Sequence, residues 1–444
     1  MSTPLNTERL CAALPRLAAG GHYVLAYSGG LDSTVLLHLL HIARLPVKAV
    51  HVHHGLRPEA DRWAEHCRAQ CADLNIPFEL RRVNITGQSE LGLEAAARAA
   101  RYAALAQSLG PQDVLLTAQH QDDQAETVLL QLLRGAGPHG LAGMPALASF
   151  GAVRFARPLL GYTRAELEAY AKCHGLRWVE DPSNHDPAIK RSHLRQHLLP
   201  EIERQWPGSA GALARSARLQ AEAAELLGDL AQADATLCTI AGSKALSVAA
   251  LNMFKPVRQR NLLRHWLAKQ QLPLPAAVHL DQVLSEVLLA RADANPCLRW
   301  PGAELRRYRD SLYAMPPLPP APTASIPWDL RVLLMLPAEC GQLSARRKRG
   351  AGLLLPPKPS LEIRFPAGGE RIKPVGSRHH RTLKQLGQSA GVPPWVRERM
   401  PLAYHAGQLV AVADRWLADA ACARRSQLGW VLDWRRTPPG WNRS

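Results

Sequence analysis

Residues 26–37, A-Y-S-G-G-L-D-S-T-V-L-L, decide the fold of this chain. An apolar run, H-Y-V-L-A-Y at 22–27, leads into the two glycines, and helical periodicity follows in V-L-L-H-L-L-H-I. Glycines at such a turn let the backbone approach phosphate oxygens, and the helix that follows directs its positive end at the same point. The pattern therefore favours a phosphate-binding loop over a generic turn of small residues. It is not a Walker A loop, because no G-K-[ST] follows.

Strands and helices alternate on both sides of this loop through residues 22–205. A capping box, Thr163-Arg-Ala-Glu166, opens a further helix. Regular alternation of this kind places helices on both faces of a parallel sheet, so we expect a doubly wound α/β domain over residues 1–205. The other predicted strands are Val47–His53, Phe78–Val83 and Val114–Ala118, and the predicted helices are Asp61–Leu74, Leu93–Leu109 and Asp122–Leu133.

The sequence changes in character after residue 205. Residues 206–315 predict a long connecting helix at Ala212–Ala233 and then a small, mostly helical domain. Residues 316–328 are too rich in proline for a helix or a central strand, which indicates a linker or a rigid loop. Residues 329–444 predict short strands around Gly and Pro, and we expect a C-terminal α+β domain there.

Charge points to a polyanionic partner. The 444 residues include 54 Lys and Arg against 37 Asp and Glu, a formal net charge of +17 with a pI near 9.9. Such a chain attracts nucleic acid, an anionic membrane or an acidic protein. Enrichment of arginine by a GC-rich genome is the alternative explanation.

Composition excludes several other classes of protein. A hydrophobic fraction of 47% and a charged fraction of 20% are typical of globular chains and not of collagen, coiled coils or disordered proteins. No run of 18 uncharged apolar residues and no apolar leader occurs, so we expect neither a membrane span nor secretion. Eight cysteines without a C-x-x-C pair predict reduced thiols in a cytoplasmic protein.

A second polar motif, H-Q-D-D-Q-A-E-T at 120–127, follows the predicted strand Val114–Ala118. On a helix, His120 and Asp123 share one face, while Asp122 and Glu126 lie one turn apart. Carboxylates at the carboxyl end of a strand in an open α/β sheet lie where ligands bind. They suit Mg²⁺ ligation or the binding of a substrate amine, and an acidic first turn that stabilises its own helix is the alternative.

Further stretches occur in a fixed order around these two motifs. They are H-V-H-H-G-L-R (51–57), G-L-E-A-A-A-R-A-A-R-Y (92–102), R-G-A-G-P-H-G-L (134–141), R-P-L-L (157–160), W-V-E-D-P-S-N (178–184), R-S-H-L-R-Q-H-L-L-P (191–200), G-G-E-R (368–371), H-R-T-L-K-Q-L (380–386) and V-P-P-W-V-R-E-R-M-P (392–401). The chain resembles the tRNA(Ile)-lysidine synthetase family of the PP-loop ATP pyrophosphatases. The likeness covers most of residues 20–205 and 365–415, and Ser192 departs from the asparagine usual in that family.

The resemblance implies a specific reaction. Such enzymes use ATP to adenylate the wobble cytidine of a tRNA(Ile) bearing a CAU anticodon, which releases pyrophosphate. The ε-amine of free L-lysine then displaces AMP at C2 and gives lysidine. Codon recognition changes from AUG to AUA, and charging changes from methionine to isoleucine.

Roles for individual residues follow from the resemblance and the chemistry together. For ATP we expect Ser28, Gly29, Gly30, Leu31, Asp32, Ser33 and His53, the last as a wall beside the adenine. Asp32 and Asp123 are the candidates for Mg²⁺, and Arg191 or Arg195 for the α-phosphate. Lysine and the active site are assigned to Glu94, His120, Asp122 and Glu126, without a ranking. For tRNA contacts we expect the helical domain and, in the C-terminal domain, Arg346, Arg347, Lys348, Arg349, Arg378, Arg381, Lys384 and Arg397.

Three other functions fit the sequence less well. A PP-loop tRNA thiolase is disfavoured because it usually carries sulfur or a cluster on cysteines, and no C-x-x-C is present. An amidotransferase-coupled synthetase is disfavoured because position 2 is Ser and no glutaminase domain precedes the loop. A tRNA-binding protein with a dead nucleotide site conflicts with the intact Ser28, Asp32, Asp123 and Arg195. A homodimer stays open, since no interface signature is visible.

Overall fold

The chain folds into two units, Met1–Leu226 and Leu227–Ser444, in a computed structural model. The structure describes residues 5–55, 58–84, 93–180, 190–291, 294–356 and 360–436, except for the side chains of 93–95 and 190.

A six-stranded sheet forms the centre of the first unit, in the order β3-β2-β1-β4-β6-β5. Neighbouring strands are parallel except at the edge, where β5 and β6 form an antiparallel hairpin that the sequence analysis did not foresee. The strands are β1 Tyr23–Ala26, β2 Val47–His53, β3 Phe78–Arg82, β4 Val114–Leu116, β5 Leu147–Phe150 and β6 Val153–Ala156.

Helices cover both faces of this sheet, as its central strand requires. In β1, Tyr23 and Leu25 are buried in one apolar cluster with α2, while Val24 is buried in a second cluster on the opposite face. A strand buried on both faces reads as a continuous apolar run, and H-Y-V-L-A-Y is such a run. The helices of this unit are α1 Thr7–Ala13, α2 Leu31–Ile42, α3 Ala60–Asp73, α4 Leu93–Gln107, α5 Gln121–Leu133, α6 Pro138–Leu141, α7 Arg164–Cys173, α8 Lys190–His193 and α9 Leu199–Gln205, and a π-helical turn, Leu194–Leu198, joins α8 to α9. The next helix, α10 Ser209–Cys238, contains the boundary between the two units. The predicted doubly wound α/β domain is confirmed.

The second unit begins with helices that pack on a small antiparallel sheet of order β7-β10-β9-β8. The prediction of a mostly helical domain is confirmed, and this small sheet accompanies its helices. Leu262 and Leu305 are buried in the cluster that joins the two layers. The elements are β7 Leu246–Ser247, α11 Val248–Asn252, α12 Pro256–Lys269, α13 Ala277–Gln282 with a π-helical turn Val283–Val287, β8 Cys297–Trp300, β9 Ala303–Tyr308 and β10 Ser311–Met315.

The C-terminal part contains short strands in a five-stranded, a three-stranded and a two-stranded sheet around one apolar core. Its first strand, β11, begins at Ile326, so the proline-rich segment already joins a sheet before residue 328. Pro327 is tolerated there because β11 lies at the edge of the sheet. The elements are β11 Ile326–Asp329, β12 Leu334–Met335, β13 Gln342–Arg349, β14 Ser360–Arg364, β15 Arg371–Ile372, β16 Arg381–Thr382, α14 Leu383–Ser389, α15 Pro394–Arg397, β17 Leu402–His405, β18 Gln408–Val412, β19 Trp416–Leu417 and β20 Leu428–Arg435.

Trp395 joins these two parts of the second unit. Its side chain is only 5% exposed and is buried with Ala245, Tyr313 and Met315. The ring of Tyr313 meets it edge-on at 5.5 Å between centroids, and the guanidinium of Arg306 lies over it at 5.4 Å. The predicted domains on either side of residues 316–328 are therefore packed against each other.

Candidate active site

The loop between β1 and α2 has the shape that its glycines predict. Gly29 has φ +81°, and a Cβ atom added there would lie 2.6 Å from Sγ of Cys67. Gly30 is the N-cap of α2 and provides no side chain to cap the first turn. The N–H groups of that turn are therefore not claimed by a capping side chain, and they suit an anion.

Hydroxyl groups brace this loop from within. Oγ of Ser28 lies 3.0 Å from Oγ of Ser33 and accepts a hydrogen bond from the Gly30 N–H at 3.3 Å. Ser33 in turn donates to the carbonyl of Gly30 at 3.1 Å. Leu31 is buried in the core, so its backbone alone faces the loop. These contacts hold the loop in shape, and the predicted donation of both hydroxyls to phosphate stays a prediction.

His120 is the centre of a carboxylate cluster beside the loop. It is the N-cap of α5 and accepts a hydrogen bond at Nδ1 from the Asp122 N–H, at 3.2 Å. Its Nε2 lies 3.7 Å from Oδ2 of Asp32 and 3.5 Å from Oδ2 of Asp123. The side chain is 1% exposed, and in the described part of the chain Nε2 has no hydrogen-bond partner. His120 thus links the phosphate-binding loop to the acidic motif.

Asp32 and Asp123, the two aspartates beside Nε2 of His120, differ in the hydrogen bonds that their carboxylates accept. Asp123 accepts from Arg195 Nη2 at 2.9 Å through Oδ1 and from the His120 N–H at 3.1 Å through Oδ2. Oδ1 of Asp32 is buried and accepts no hydrogen bond from any described residue. Burial raises the pKa of Asp32, and the neighbouring His120 and Arg164 only partly oppose that effect. Asp32 therefore has an oxygen ready for a cationic ligand.

Glu126 is fully buried between two arginines. Its Oε2 accepts from Nε of Arg191 and its Oε1 from Nε of Arg195, each at 2.6 Å. Arg191 also donates to the carbonyl of Asp123 at 3.3 Å. Arg195 is the second residue of the π-helical turn, a feature that is frequent at functional sites. Both oxygens of Glu126 accept hydrogen bonds from guanidinium groups, and its assignment to the amine of lysine stays a prediction.

Arg164 belongs to the same cluster, and the sequence analysis missed it. Its backbone N–H donates to Oδ2 of Asp122 at 2.8 Å, and its Nη1 lies 3.8 Å from Oδ1 of Asp32. Burial would raise the pKa of Asp122, but the neighbouring His120 and the hydrogen bond from the Arg164 N–H outweigh it and lower that pKa. The capping box at Thr163 was the available signal, since it makes Arg164 the first residue of α7.

The two histidines of β2 at positions 51 and 53 have different contacts. His51 lies 2.9 Å from the carbonyl of Tyr27 through Nδ1, a contact to the backbone just before the glycines. His53 is buried, and its Nε2 lies 3.3 Å from Oδ1 of Asp61. The side chain of Glu94 lies outside the described residues. The structure thus connects Asp32, His120, Asp122, Asp123, Glu126, Arg191 and Arg195 through contacts, and it does not place His53 among them.

The glycine-rich segment at 135–143 is fastened to the acidic helix α5. Gln124 donates through Nε2 to the carbonyl of Met144 at 3.0 Å and accepts from the Met144 N–H at 2.7 Å. The segment follows a helix and leads into the four-residue helix α6, which is not the strand–turn–helix context of a dinucleotide site. It borders the candidate active site through α5.

The basic residues assigned to tRNA lie in the second unit, either in the run at 346–349 or between residues 378 and 397. The run at 346–349 lies on strand β13, which pairs along its length with β20. Arg347 lies over the ring of Trp430 at 5.5 Å, so this residue is stacked on the protein. Arg397 is half-buried, and its Cδ would lie 2.9 Å from a Cβ added at Gly387. The residues that are exposed are Arg346, Arg347, Lys348, Arg349, Arg378, Arg381 and Lys384.

Comparison with known proteins places the chain in a family. Residues 6–202 match the PP-loop domain family, residues 246–313 the TilS substrate binding domain family, and residues 361–434 the TilS substrate C-terminal domain family. The tRNA(Ile)-lysidine synthase of Alkalilimnicola ehrlichii is 45% identical over 426 residues, which is 95% of both chains. That of Serratia proteamaculans is 42% identical over 440 residues, 97% of this chain and 100% of the relative. The chain belongs to the tRNA(Ile)-lysidine synthase family. It is an ATP-dependent ligase of tRNA modification.

Among solved structures, the chain matches part of the U34-tRNA thiolase NcsA from Methanococcus maripaludis with its [4Fe-4S] cluster. The two chains are 18% identical with a TM-score of 0.41, and the match covers 48% of this chain and 77% of the thiolase. Among the residues that the structure describes, no helix has the length and apolar character needed to cross a membrane.

Proposed function

We propose that this chain joins free L-lysine to C2 of the wobble cytidine in a tRNA(Ile) with a CAU anticodon, in the cytoplasm and at the expense of ATP. The observation that carries the proposal is the buried Glu126 with its two arginines, adjoining Asp123 and the phosphate-binding loop. The product, lysidine, would read AUA in place of AUG and would direct charging with isoleucine in place of methionine.

The first step adenylates the cytidine. Its O2 forms a bond to the α-phosphorus of ATP, the bond from that phosphorus to the bridging oxygen breaks, and the electron pair leaves with pyrophosphate. Preorganised N–H groups in the first turn of α2 stabilise the charge that develops on pyrophosphate. In both Arg191 and Arg195, Nε and Nη2 donate hydrogen bonds to other groups of the protein. We therefore assign Nη1 of each arginine to the α-phosphate. Glu126 therefore positions two guanidinium groups without touching the substrate.

Asp32 fits a magnesium ion better than Asp123 does. Mg²⁺ is commonly held by one or two carboxylates together with substrate phosphates, so a cage of protein ligands is not needed. No group of three or more metal-ligating side chains occurs among the described residues. Oδ1 of Asp32 accepts no hydrogen bond there, whereas both oxygens of Asp123 do. When bound, Mg²⁺ supplies neutralisation of charge on the phosphate oxygens.

The second step joins lysine to the adenylated base. The ε-ammonium first gives up a proton to solvent, and the neutral ε-nitrogen then forms a bond to C2 with its lone pair. The bond from C2 to the phosphate-bearing oxygen breaks, and AMP leaves with that electron pair. Asp122 and Glu94 are the carboxylates that we assign to the cationic amine. Asp122 is 36% exposed, in contrast to the buried Glu126, and its pKa is lowered, so that it is charged at neutral pH. Its hydrogen bond from the Arg164 N–H fixes the carboxylate in place.

The basic residues of the C-terminal part are assigned to the tRNA backbone. Phosphate contacts position a nucleic acid but carry out no bond-making. Among the ion pairs of the described residues, Arg378, Arg381 and Lys384 have no acidic partner. Such unpaired cations are available for phosphates.

Transfer of labelled lysine tests the proposal directly. The protein is incubated with ATP, Mg²⁺, radiolabelled L-lysine and an unmodified tRNA(Ile) transcript with a CAU anticodon. We expect acid-precipitable label in that transcript alone. The matched controls are a tRNA(Met) transcript, which carries the same anticodon, and the tRNA(Ile) transcript with its wobble cytidine changed to guanosine. Label in neither tRNA(Ile) species, with a folded protein, would reject the proposal.

A further inference from the structure

Two carboxylates of the site each have a guanidinium partner, but the two contacts differ in strength. Between Asp123 and Arg195 the Oδ1–Nη2 distance is 2.9 Å, a hydrogen bond. Between Asp32 and Arg164 the Oδ1–Nη1 distance is 3.8 Å, which is an ionic contact only. Oδ1 of Asp32 consequently has no hydrogen bond among the described residues. Arg164 is held close to the phosphate-binding loop without being committed to it.

The backbone of Arg164 is fixed while its side chain is free to move. The N–H donates to Asp122, and the capping box of Thr163 and Glu166 fixes the start of α7. The side chain is 40% exposed, and its other ionic contact is Nε to Oε1 of Glu168 at 3.4 Å, one turn further along the helix. Neither contact has the geometry of a strong bidentate pair. A guanidinium in this position can change partner by rotating its side chain alone.

We propose that Arg164 binds the β- and γ-phosphates of ATP, and then the leaving pyrophosphate, and that Asp32 keeps it in position before the nucleotide arrives. This inference rests on the proposed use of ATP at this loop. Arg191 and Arg195 are held on the other carboxylates, Glu126 and Asp123, where they serve the α-phosphate. The leaving group carries most of the negative charge, and Arg164 is the permanently charged side chain in ionic contact with the loop aspartate.

Binding of two nucleotides to the full-length protein tests this role. The probes are α,β-methylene-ATP, which cannot be cleaved at that bond, and AMP, which lacks the β- and γ-phosphates. Both are titrated calorimetrically with Mg²⁺ present. We expect R164M to raise the Kd of α,β-methylene-ATP by roughly tenfold to a hundredfold, as loss of hydrogen bonds to a charged group does. The Kd of AMP should not change, and R164K should show a smaller loss because it keeps the charge.

The control variant is E168Q, which removes the other ionic partner of Arg164 and leaves the site intact. Wild-type affinity of E168Q for both nucleotides is expected. Equal affinity of R164M and wild type for α,β-methylene-ATP would overturn the inference. So would an equal loss of AMP and α,β-methylene-ATP binding, which indicates a structural role. If R164M does not fold, R164K decides by the same comparison.

Failure of the proposed function gives a different pattern of results. A wild-type protein that binds α,β-methylene-ATP and transfers no lysine would reject the proposed reaction and leave the role of Arg164 standing. A wild-type protein that binds neither nucleotide would reject both.

Discussion

Oε1 of the fully buried Glu126 accepts a hydrogen bond of 2.6 Å from Nε of the partly exposed Arg195. The same carboxylate accepts an equal bond from Arg191, so one buried negative charge orients two cations. A guanidinium whose Nε edge is fixed presents its remaining N–H groups in one direction, and that saves the entropy of orienting it during the reaction. Glu126 is therefore a positioning residue in this proposal, although its sequence position next to the aspartates favoured substrate binding.

Replacing Glu126 by Gln should damage stability and turnover together. The variant leaves two arginines beside a neutral group, and loss of one partner of a buried ion pair costs several kcal/mol. Because both arginines are partly exposed, we expect the free energy of unfolding to fall by about 2–4 kcal/mol, measured by urea denaturation. The KM values for lysine and ATP should change by similar factors. The control E201Q breaks an exposed pair with Arg204 and should leave the free energy of unfolding nearly unchanged. A selective rise in the KM for lysine would contradict the positioning role.

Replacing Asp32 by Asn should separate activity from stability. Burial raises the pKa of Asp32 above its usual range, so the charged form at neutral pH is less favourable in the folded protein than in the unfolded chain. A neutral Asn removes that penalty, and the melting temperature at pH 7 should be unchanged or higher. Turnover in tRNA-dependent ATP–pyrophosphate exchange should fall by at least about two decades, as loss of a charge stabiliser at the reacting group commonly does. Near-wild-type exchange by the folded variant would remove Asp32 from the mechanism.

Gly29 tests how closely the loop is packed. In G29A the new Cβ would lie 2.6 Å from Sγ of Cys67, at a φ of +81°. Burial raises the pKa of Cys67 to about 12, so the thiol is a neutral packing partner at any working pH. We expect losses of both ATP affinity and about 2–3 kcal/mol of stability. G151A, whose φ is +59° with open space around it, is the control for backbone strain alone, at about 1 kcal/mol. If the double variant G29A/C67A regains nothing over G29A, the close contact is not the cause.

The nucleotide-binding fold could be predicted from the sequence because its signals are local. Apolar strands, a glycine turn and capping boxes lie within short windows, and the observed bounds of α3 and α5 differ from those expected by one residue. The β5–β6 hairpin was missed because Leu147–Phe150 is an edge strand with alternating exposure, without the continuous apolar run of β1. The spacing that puts His120 and Asp123 on one face agrees with the structure, in which His120 is the N-cap of α5 and Asp123 lies in its first turn.

Contacts between distant segments could not be predicted in this way. Glu126 and Arg195 are 69 residues apart, and nothing in either motif says that they bind each other. Trp395 lies among arginines in the sequence, and nothing in that stretch indicates whether its ring is buried. The structure buries that ring against Tyr313 and Met315, because the C-terminal part covers the apolar end of β10. Burial of a single aromatic residue depends on the tertiary fold and has no local signature.

Three exposed cations at or near the two-stranded sheet, Arg378, Arg381 and Lys384, test whether the C-terminal part binds tRNA. In the variant R378E/R381E/K384E no core side chain is removed, since all three residues are exposed. We expect weaker binding of tRNA and a log–log salt slope that is smaller by about 0.7–0.9 for each lost phosphate contact. The affinity for α,β-methylene-ATP and the melting temperature serve as controls and should not change. An unaltered salt slope would show that these residues stay in solvent.

Trp395 tests whether the C-terminal part is a separate tRNA-binding module. If the C-terminal part were joined to the preceding part of the second unit only by a linker, the W395A substitution would leave the stability of both parts unchanged. The structure predicts the opposite, because removal of the indole opens a cavity between Tyr313, Met315 and Ala245 and removes the ring beneath Arg306. We expect the unfolding of the second unit to become easier by about 3–5 kcal/mol, while binding of α,β-methylene-ATP persists because its residues lie in the first unit. W416A is the control, since Trp416 is also partly buried in the C-terminal core but lies outside the Trp395 cluster.

A variant that lacks residues 330–444 is a less specific test than W395A. The deletion would expose the same apolar surface, so weaker tRNA binding by that variant could not be assigned to lost phosphate contacts alone. Independent melting of the two parts in the wild-type protein, with W395A indistinguishable from it, would show that they are not packed together in solution.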